Sequence, residues 1–168
     1  MITLVRILLG IVWAIWLGGI VATFIFATAM FRNLTREQAG LTNGVLFPTF
    51  ERYALVAAAL ALAAAVAWRA LSRSRAATVT FALLAVATVA LVISAAVVTP
   101  RILELRRSGQ TESPAFKRAH GQSGMLYVAE AAALLGAGIA LLGSHSARAA
   151  AKGDGAAPVG PPGGSAAA

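Results

Sequence analysis

Cysteine is absent from the 168-residue chain. That excludes disulfides, thiolate metal sites, cysteine nucleophiles and thioether haem attachment, and with them any reading of the compartment's redox state. Acidic residues are scarce, 6 against 14 Lys+Arg, for a net charge of +8. Only 12% of residues are charged, about half the usual share of about 25%. Histidine occurs twice, and the three methionines form no motif. Walker A, Rossmann glycine, Ser-His-Asp and HExxH signatures are missing. What is present is apolar: 59% hydrophobic residues and a mean hydropathy of +0.79. A soluble domain of this size could not hide that much apolar surface, whereas a bilayer removes the need to. The pI near 11.5 raises nucleic acid as a partner. The cations, however, fall in clusters between apolar runs, where they meet anionic headgroups, so no nucleic acid is expected.

The pattern predicts an all-α integral membrane four-helix bundle, with spans at about 5–31, 50–71, 76–99 and 119–143, because lipid tolerates no open strand edges. The first apolar run, Ile7 to Phe31, carries no charge. Ala27-Thr28-Ala29 resembles a signal-peptidase site, but the run is far longer than the about 7–15 residues of a signal core. The second span is framed by Arg52 and Arg69. The third ends at Thr99-Pro100, and the fourth is interrupted by one acid, Glu130. Residues 1–143 are read as the transmembrane domain. Residues 144–168, rich in Ala, Gly, Pro and Ser, are read as a disordered tail.

Thr35 and Gln38 have capping-box spacing, and Leu34, Leu41 and Val45 share a face, which predicts a short interfacial helix in the first loop. Thr99-Pro100 and Ser113-Pro114 read as N-caps followed by N1 prolines. The first would open a second interfacial helix through Ile102 and Leu105; the second would launch span four ahead of the membrane. Lys and Arg divide six against eight between the two sides. That difference leans toward cytoplasmic first and third connections under the positive-inside rule.

An acid inside a span costs about 2.5–3.5 kcal/mol on insertion scales. Glu130 is therefore read either as a proton or cation relay or as a protonated side chain bonding a neighbouring helix. His120, Ser123, Tyr127 and Glu130 fall within about 80° of one helical face. Thr23 and Ser94 lie at matching depth on other spans, so a polar pocket of Thr23, Ser94, Tyr127 and Glu130 is one expectation. Span hydroxyls bonding their own backbone is the other. His120, beside Lys117 and Arg118, reads as a ligand, a proton acceptor or a residue bonding a loop. His145 would lie about 37 Å away along one helix, so the two histidines do not clamp one metal within a chain. Trp13, Trp16, Gly18-Gly19 and Gly136-Ala137-Gly138 read as close-packing features.

The stretch Phe31-Arg32-Asn33-Leu34-Thr35-Arg36-Glu37-Gln38-Ala39-Gly40, followed by Leu46-Phe47-Pro48, resembles the first-loop signature of the transmembrane protein 205-like family. That family is also known as domain-of-unknown-function 4149. Pro100-Arg101, Phe116 and His120-Gly121-Gln122-Ser123 resemble its second signature, and Trp16-Leu17-Gly18-Gly19 fits as well. The resemblance runs over roughly 5–143. One departure is Tyr127, near where the family often has an Asn. The resemblance implies a small four-span membrane protein of unassigned activity, and it singles out Arg32, Pro48, Arg101, His120 and Ser123 on one side of the membrane. The leading expectation is a non-enzymatic accessory, stress-tolerance or partner-binding protein of a bacterial-type plasma membrane. It would have no catalytic residue, metal or cofactor, and its partners would be the bilayer and a second copy or another membrane protein. The alternatives are a proton- or ion-coupled transporter or channel using Glu130, and a haem- or copper-associated protein.

Overall fold

The structure, a computed structural model, describes residues 1–153, with side chains through residue 143. Helices α1 (Ile2–Asn33), α2 (Arg36–Ser72), α3 (Arg75–Ile93), α4 (Thr99–Arg107) and α5 (Pro114–Gly153) follow in order, with a π-turn at Ser94–Val98 fusing α3 to α4. No strand occurs among the described residues. Four segments are long and apolar enough to cross a membrane: Ile2–Asn33, Arg36–Ser72, Arg75–Arg107 and Pro114–Gly143.

Helix α1 packs chiefly on α2 and α3 on α5; α2 joins α3, and α1 meets α5 more lightly. Small residues set this spacing, since without a hydrophobic drive in lipid, helices associate through close van der Waals contact. The buried face of α2 is Ala54, Ala57, Ala58, Ala61 and Ala65, closed by Phe50 at one end and Trp68 at the other. Its outer face exposes Val56, Leu60 and Val66, as α1 exposes Ile11, Ile15 and Phe26, which is the apolar exterior a bilayer requires. Arg6 is buried, with its guanidinium 5.2 Å from the centre of the Trp68 ring.

The connections form as their sequences dictate. The Thr35 hydroxyl accepts from the Gln38 N–H at 3.3 Å, and the Gln38 amide oxygen accepts from the Thr35 N–H at 3.2 Å. Arg73 takes the left-handed conformation (φ 48°) and Ser74 caps α3, so the turn between them is tight. Gly109 (φ 72°) closes α4 with the Gln110 N–H bonded back to Leu105, the Schellman arrangement that favours glycine. Ser113 Oγ accepts from the Phe116 N–H at 3.1 Å, capping α5 ahead of Pro114.

Three expectations change. The first-loop helix is not separate: α2 runs unbroken from Arg36 through the span, with Pro48 inside it. Proline removes the bond to the carbonyl four residues back, here on Gly44, and crowds it. The helix nevertheless continues through it, and the missing side chain at Gly44 makes room for Arg106 of α4. Thr99 is likewise no N-cap. It is helical (φ −61°, ψ −46°), and its N–H bonds the Ser94 carbonyl. The extra residue of the π-turn carries the chain past Pro100, which cannot donate to Ala96, and leaves the Thr99 hydroxyl for another use. Finally, α5 continues past Gly143 to Gly153, where alanine-rich sequence of high helix propensity extends the helix. The expected tail from 154 onward lies outside the described residues.

At Gly138 an added Cβ would overlap the Trp13 ring, whereas at Gly18 it would meet nothing within 4 Å. Trp13 is held there, with Nε1 donating to the Leu134 carbonyl at 2.7 Å. Gly138→Ala should therefore lower stability by about 1–3 kcal/mol through overpacking. Gly18→Ala should leave it level or raise it by about 0.5–1 kcal/mol. Thermal unfolding of both variants in one detergent should show the midpoint lowered for Gly138→Ala and unchanged or raised for Gly18→Ala.

Candidate functional site

Glu51 is 2% exposed and forms the polar centre of the bundle. Its Oε1 accepts from Ser94 Oγ at 2.7 Å, Thr99 Oγ1 at 2.8 Å and Tyr127 OH at 3.3 Å. The π-turn explains how two hydroxyls five residues apart reach one oxygen. In a regular α-helix they would diverge by about 140°; the wider turn brings them onto one side. Such turns concentrate at functional sites. The carboxylate thus ties α2 to both ends of the π-turn and to α5.

One turn along α5 from Tyr127, Glu130 is fully buried. Its Oε1 accepts from Trp16 Nε1 at 2.7 Å, while Oε2 has no partner. Trp13 and Trp16 together fasten α1 to α5.

Beyond Glu51, toward the α1–α2 and α4–α5 connections, lies a cavity of about 160 Å³. Phe24 and Phe31 of α1, Asn43, Phe47 and Pro48 of α2, Thr99 and Arg106 of α4, and His120, Ser123 and Tyr127 of α5 line it. Phe24, Phe47 and Tyr127 meet edge to face at 5.4–6.2 Å between centres. The Arg106 guanidinium donates to the Gly40 carbonyl and lies against Gly44, so a Gly-x-x-x-Gly face here seats a long side chain of α4. Asn43 is 6% exposed, and neither its Nδ2 nor its Oδ1 has a partner. The Thr80 hydroxyl also lacks one, but it lines neither this cavity nor the adjoining groove.

The expected residues distribute unevenly. Ser94 and Tyr127 do come together, but on Glu51; Glu130 pairs with Trp16. Thr23 bonds its own helix at the Gly19 carbonyl, 2.8 Å away. Of the loop-face residues, Pro48, His120 and Ser123 line the cavity. His120 is exposed and stacked on Phe116, with ring planes 5° apart. Arg32 lines a separate groove between α1 and α5, and Arg101 is exposed outside both. Glu51, Asn43 and Arg106 do not stand out in the sequence. Glu51 sits beside Arg52, which makes it look interfacial. The usable signal is phase: Glu51 falls on the face of Ala54, Ala58, Ala61 and Ala65, whereas Arg52 is exposed. Among the described residues no three His, Asp or Glu side chains gather to hold a metal, and the His145 side chain lies outside them.

A protein-family model, Domain of unknown function (DUF4149), matches residues 11–111. The chain belongs to the DUF4149 family. The match extends from Ile11 on α1 past α4, so it covers Glu51, Asn43, Ser94, Thr99 and Arg106 and stops before His120. It brings the domain-of-unknown-function assignment and not the transmembrane protein 205-like name. No curated protein and no solved structure matches this DUF4149 chain.

Removing the carboxylate of Glu51 strands three hydroxyls. Ser94 and Thr99 can turn back to backbone carbonyls; Tyr127 cannot reach its own. Glu51→Leu should cost about 1–3 kcal/mol, and Glu51→Gln, which keeps an acceptor oxygen, clearly less. Equal losses for the two in thermal or denaturant unfolding in detergent would contradict the hydroxyl-gathering role.

Proposed function

We propose that the protein is a non-enzymatic membrane binding protein whose cavity takes the polar end of a small amphipathic molecule. The Asn43 amide carries this reading. A buried polar group without a partner costs about 1–3 kcal/mol, and this side chain leaves both a donor and an acceptor unused in the wall of a cavity. A ligand group, or water displaced by one, completes it. Apolar walls with a few convergent polar groups are the usual composition of small-molecule sites. Four helices around one cavity of about 160 Å³ suit holding a molecule better than conducting one.

The bare Oε2 of Glu130 favours a second reading, proton- or ion-coupled transport with Tyr127 and Glu51 alongside. Its test is proton flux into liposomes: unchanged flux in Glu130→Gln would sink it.

The binding reading predicts that Asn43→Leu gains stability while losing ligand, because the substitution replaces the unpartnered amide by an apolar group of the same branching whose extra bulk the cavity can take. The expected gain is about 1 kcal/mol or more. Amphiphiles retained by the purified wild type, compared by native mass spectrometry, should be depleted in the variant. A destabilised Asn43→Leu with the same retained molecules would refute the proposal.

A further inference from the structure

The cavity has the dimensions and lining of a particular class of molecule. Resting on the binding reading above, we infer that its occupant is a single six-membered ring bearing carbonyl or hydroxyl oxygens. The ring would carry one aliphatic tail, the chemistry of a membrane quinone or long-chain phenol, and the tail would leave sideways between α1 and α5.

Size comes first. A cavity of about 160 Å³ matches the about 150 Å³ apolar void known to take one benzene. Lining comes second. Phe24, Phe47 and Tyr127 already meet edge to face, the geometry another ring prefers among aromatics. The Asn43 amide offers N–H to a ring carbonyl and C=O to a ring hydroxyl, so it suits either oxygen form. Charge comes third. Arg106 is the one Lys or Arg among the lining residues, and its guanidinium is already engaged by the Gly40 carbonyl. A phosphate headgroup would call for more free cations, so the head is uncharged.

The tail's route is a groove of about 650 Å³ along the α1–α5 seam, lined by Ile20, Val21, Ile25 and Ala29 on one side and Val128 and Ala131 on the other. It shares Phe24 and Tyr127 with the cavity, so those two rings stand where head and tail would meet. Side-chain bonds join α1 to α5 at Trp13 and Trp16; the groove opens from Ile20 onward, the next turn along, where α1 and α5 share no side-chain hydrogen bond among those described. Apart from Thr28, Arg32 and Asn33 its walls are apolar, and a tail leaving among Ile20, Val21 and Ile25 needs no passage through the headgroups.

The test uses the full chain in lipid nanodiscs and three probes: a decyl-substituted benzoquinone, the same benzoquinone without its tail, and decanol. Saturable binding of the tailed quinone should be about tenfold or more tighter than that of the tail-less one, since each buried methylene adds to affinity. Asn43→Leu should weaken both quinones about tenfold. Ala29→Phe, on the exposed groove wall away from the core, should weaken only the tailed one. Equal affinity for both quinones, unmoved by Ala29→Phe, overturns the lateral tail route and leaves the cavity reading standing. Decanol binding as tightly as the tailed quinone, with Asn43→Leu inert, overturns the ring head. If neither quinone binds saturably and Asn43→Leu is no more stable than wild type, this inference and the binding reading fall together.

Discussion

The bilayer interior offers no water, so a polar group placed there must be answered by another part of the protein. The Glu51 carboxylate is the point on which this constraint concentrates. One oxygen gathers hydroxyls from Ser94, Thr99 and Tyr127, and so fixes where α2, the α3–α4 junction and α5 stand relative to one another. The π-turn is part of that fixture. It lets the chain pass Pro100 while turning two hydroxyls toward the same acceptor. Apolar packing has no such direction, and the small-residue faces of these helices would tolerate several rotations.

Around that centre, packing is a matter of distance. Alanines on α2 admit their neighbours closely, and aromatic side chains fill what the small residues leave: Phe50 against Gly19, 2.9 Å from where a Cβ would stand, and Trp13 against Gly138. Helix α1 depends on fewer ties. Two indole N–H groups, one to a carbonyl and one to Glu130, hold its first half to α5, and the second half diverges into a groove. Tight packing at one end of the seam and openness at the other have the same origin, the placement of tryptophans in the first half of α1 only.

The rule of satisfied polar groups is broken by a single atom at Thr80 and at Glu130, but by a whole amide in the cavity. Its other polar neighbours include buried Thr99 and Tyr127, bonded to Glu51, and half-buried Arg106, bonded to Gly40. Asn43 has none for either polar atom. A sequence kept so consistent around it breaks a local rule most understandably where function requires it, and that is why the amide, rather than the more conspicuous Glu130, carries the functional reading. Glu130 has a partner for one of its oxygens and serves the seam between α1 and α5.

Much of this protein follows from the sequence alone. Length and apolarity of four runs determined helices across a membrane, because lipid admits little else; Thr35–Gln38 and Ser113-Pro114 determined helix starts, because a cap is local chemistry. The family resemblance is likewise carried by the 31–48 and 100–123 motifs as linear sequence. Continuity was less legible: Pro48 and Pro100 signal breaks in a sequence, yet α2 runs through the first and a π-turn carries the chain past the second. The site was the least legible part. Tyr127 and Ser94 could be matched by depth, but not assigned to Glu51, and Asn43 looks like any loop amide until Phe47, Arg106 and α5 enclose it. Sequence determines what each helix can present to its neighbours. Only tertiary structure decides which faces meet, because helix rotation and seam width depend on contacts more than forty residues apart, such as that between Glu51 and Ser94.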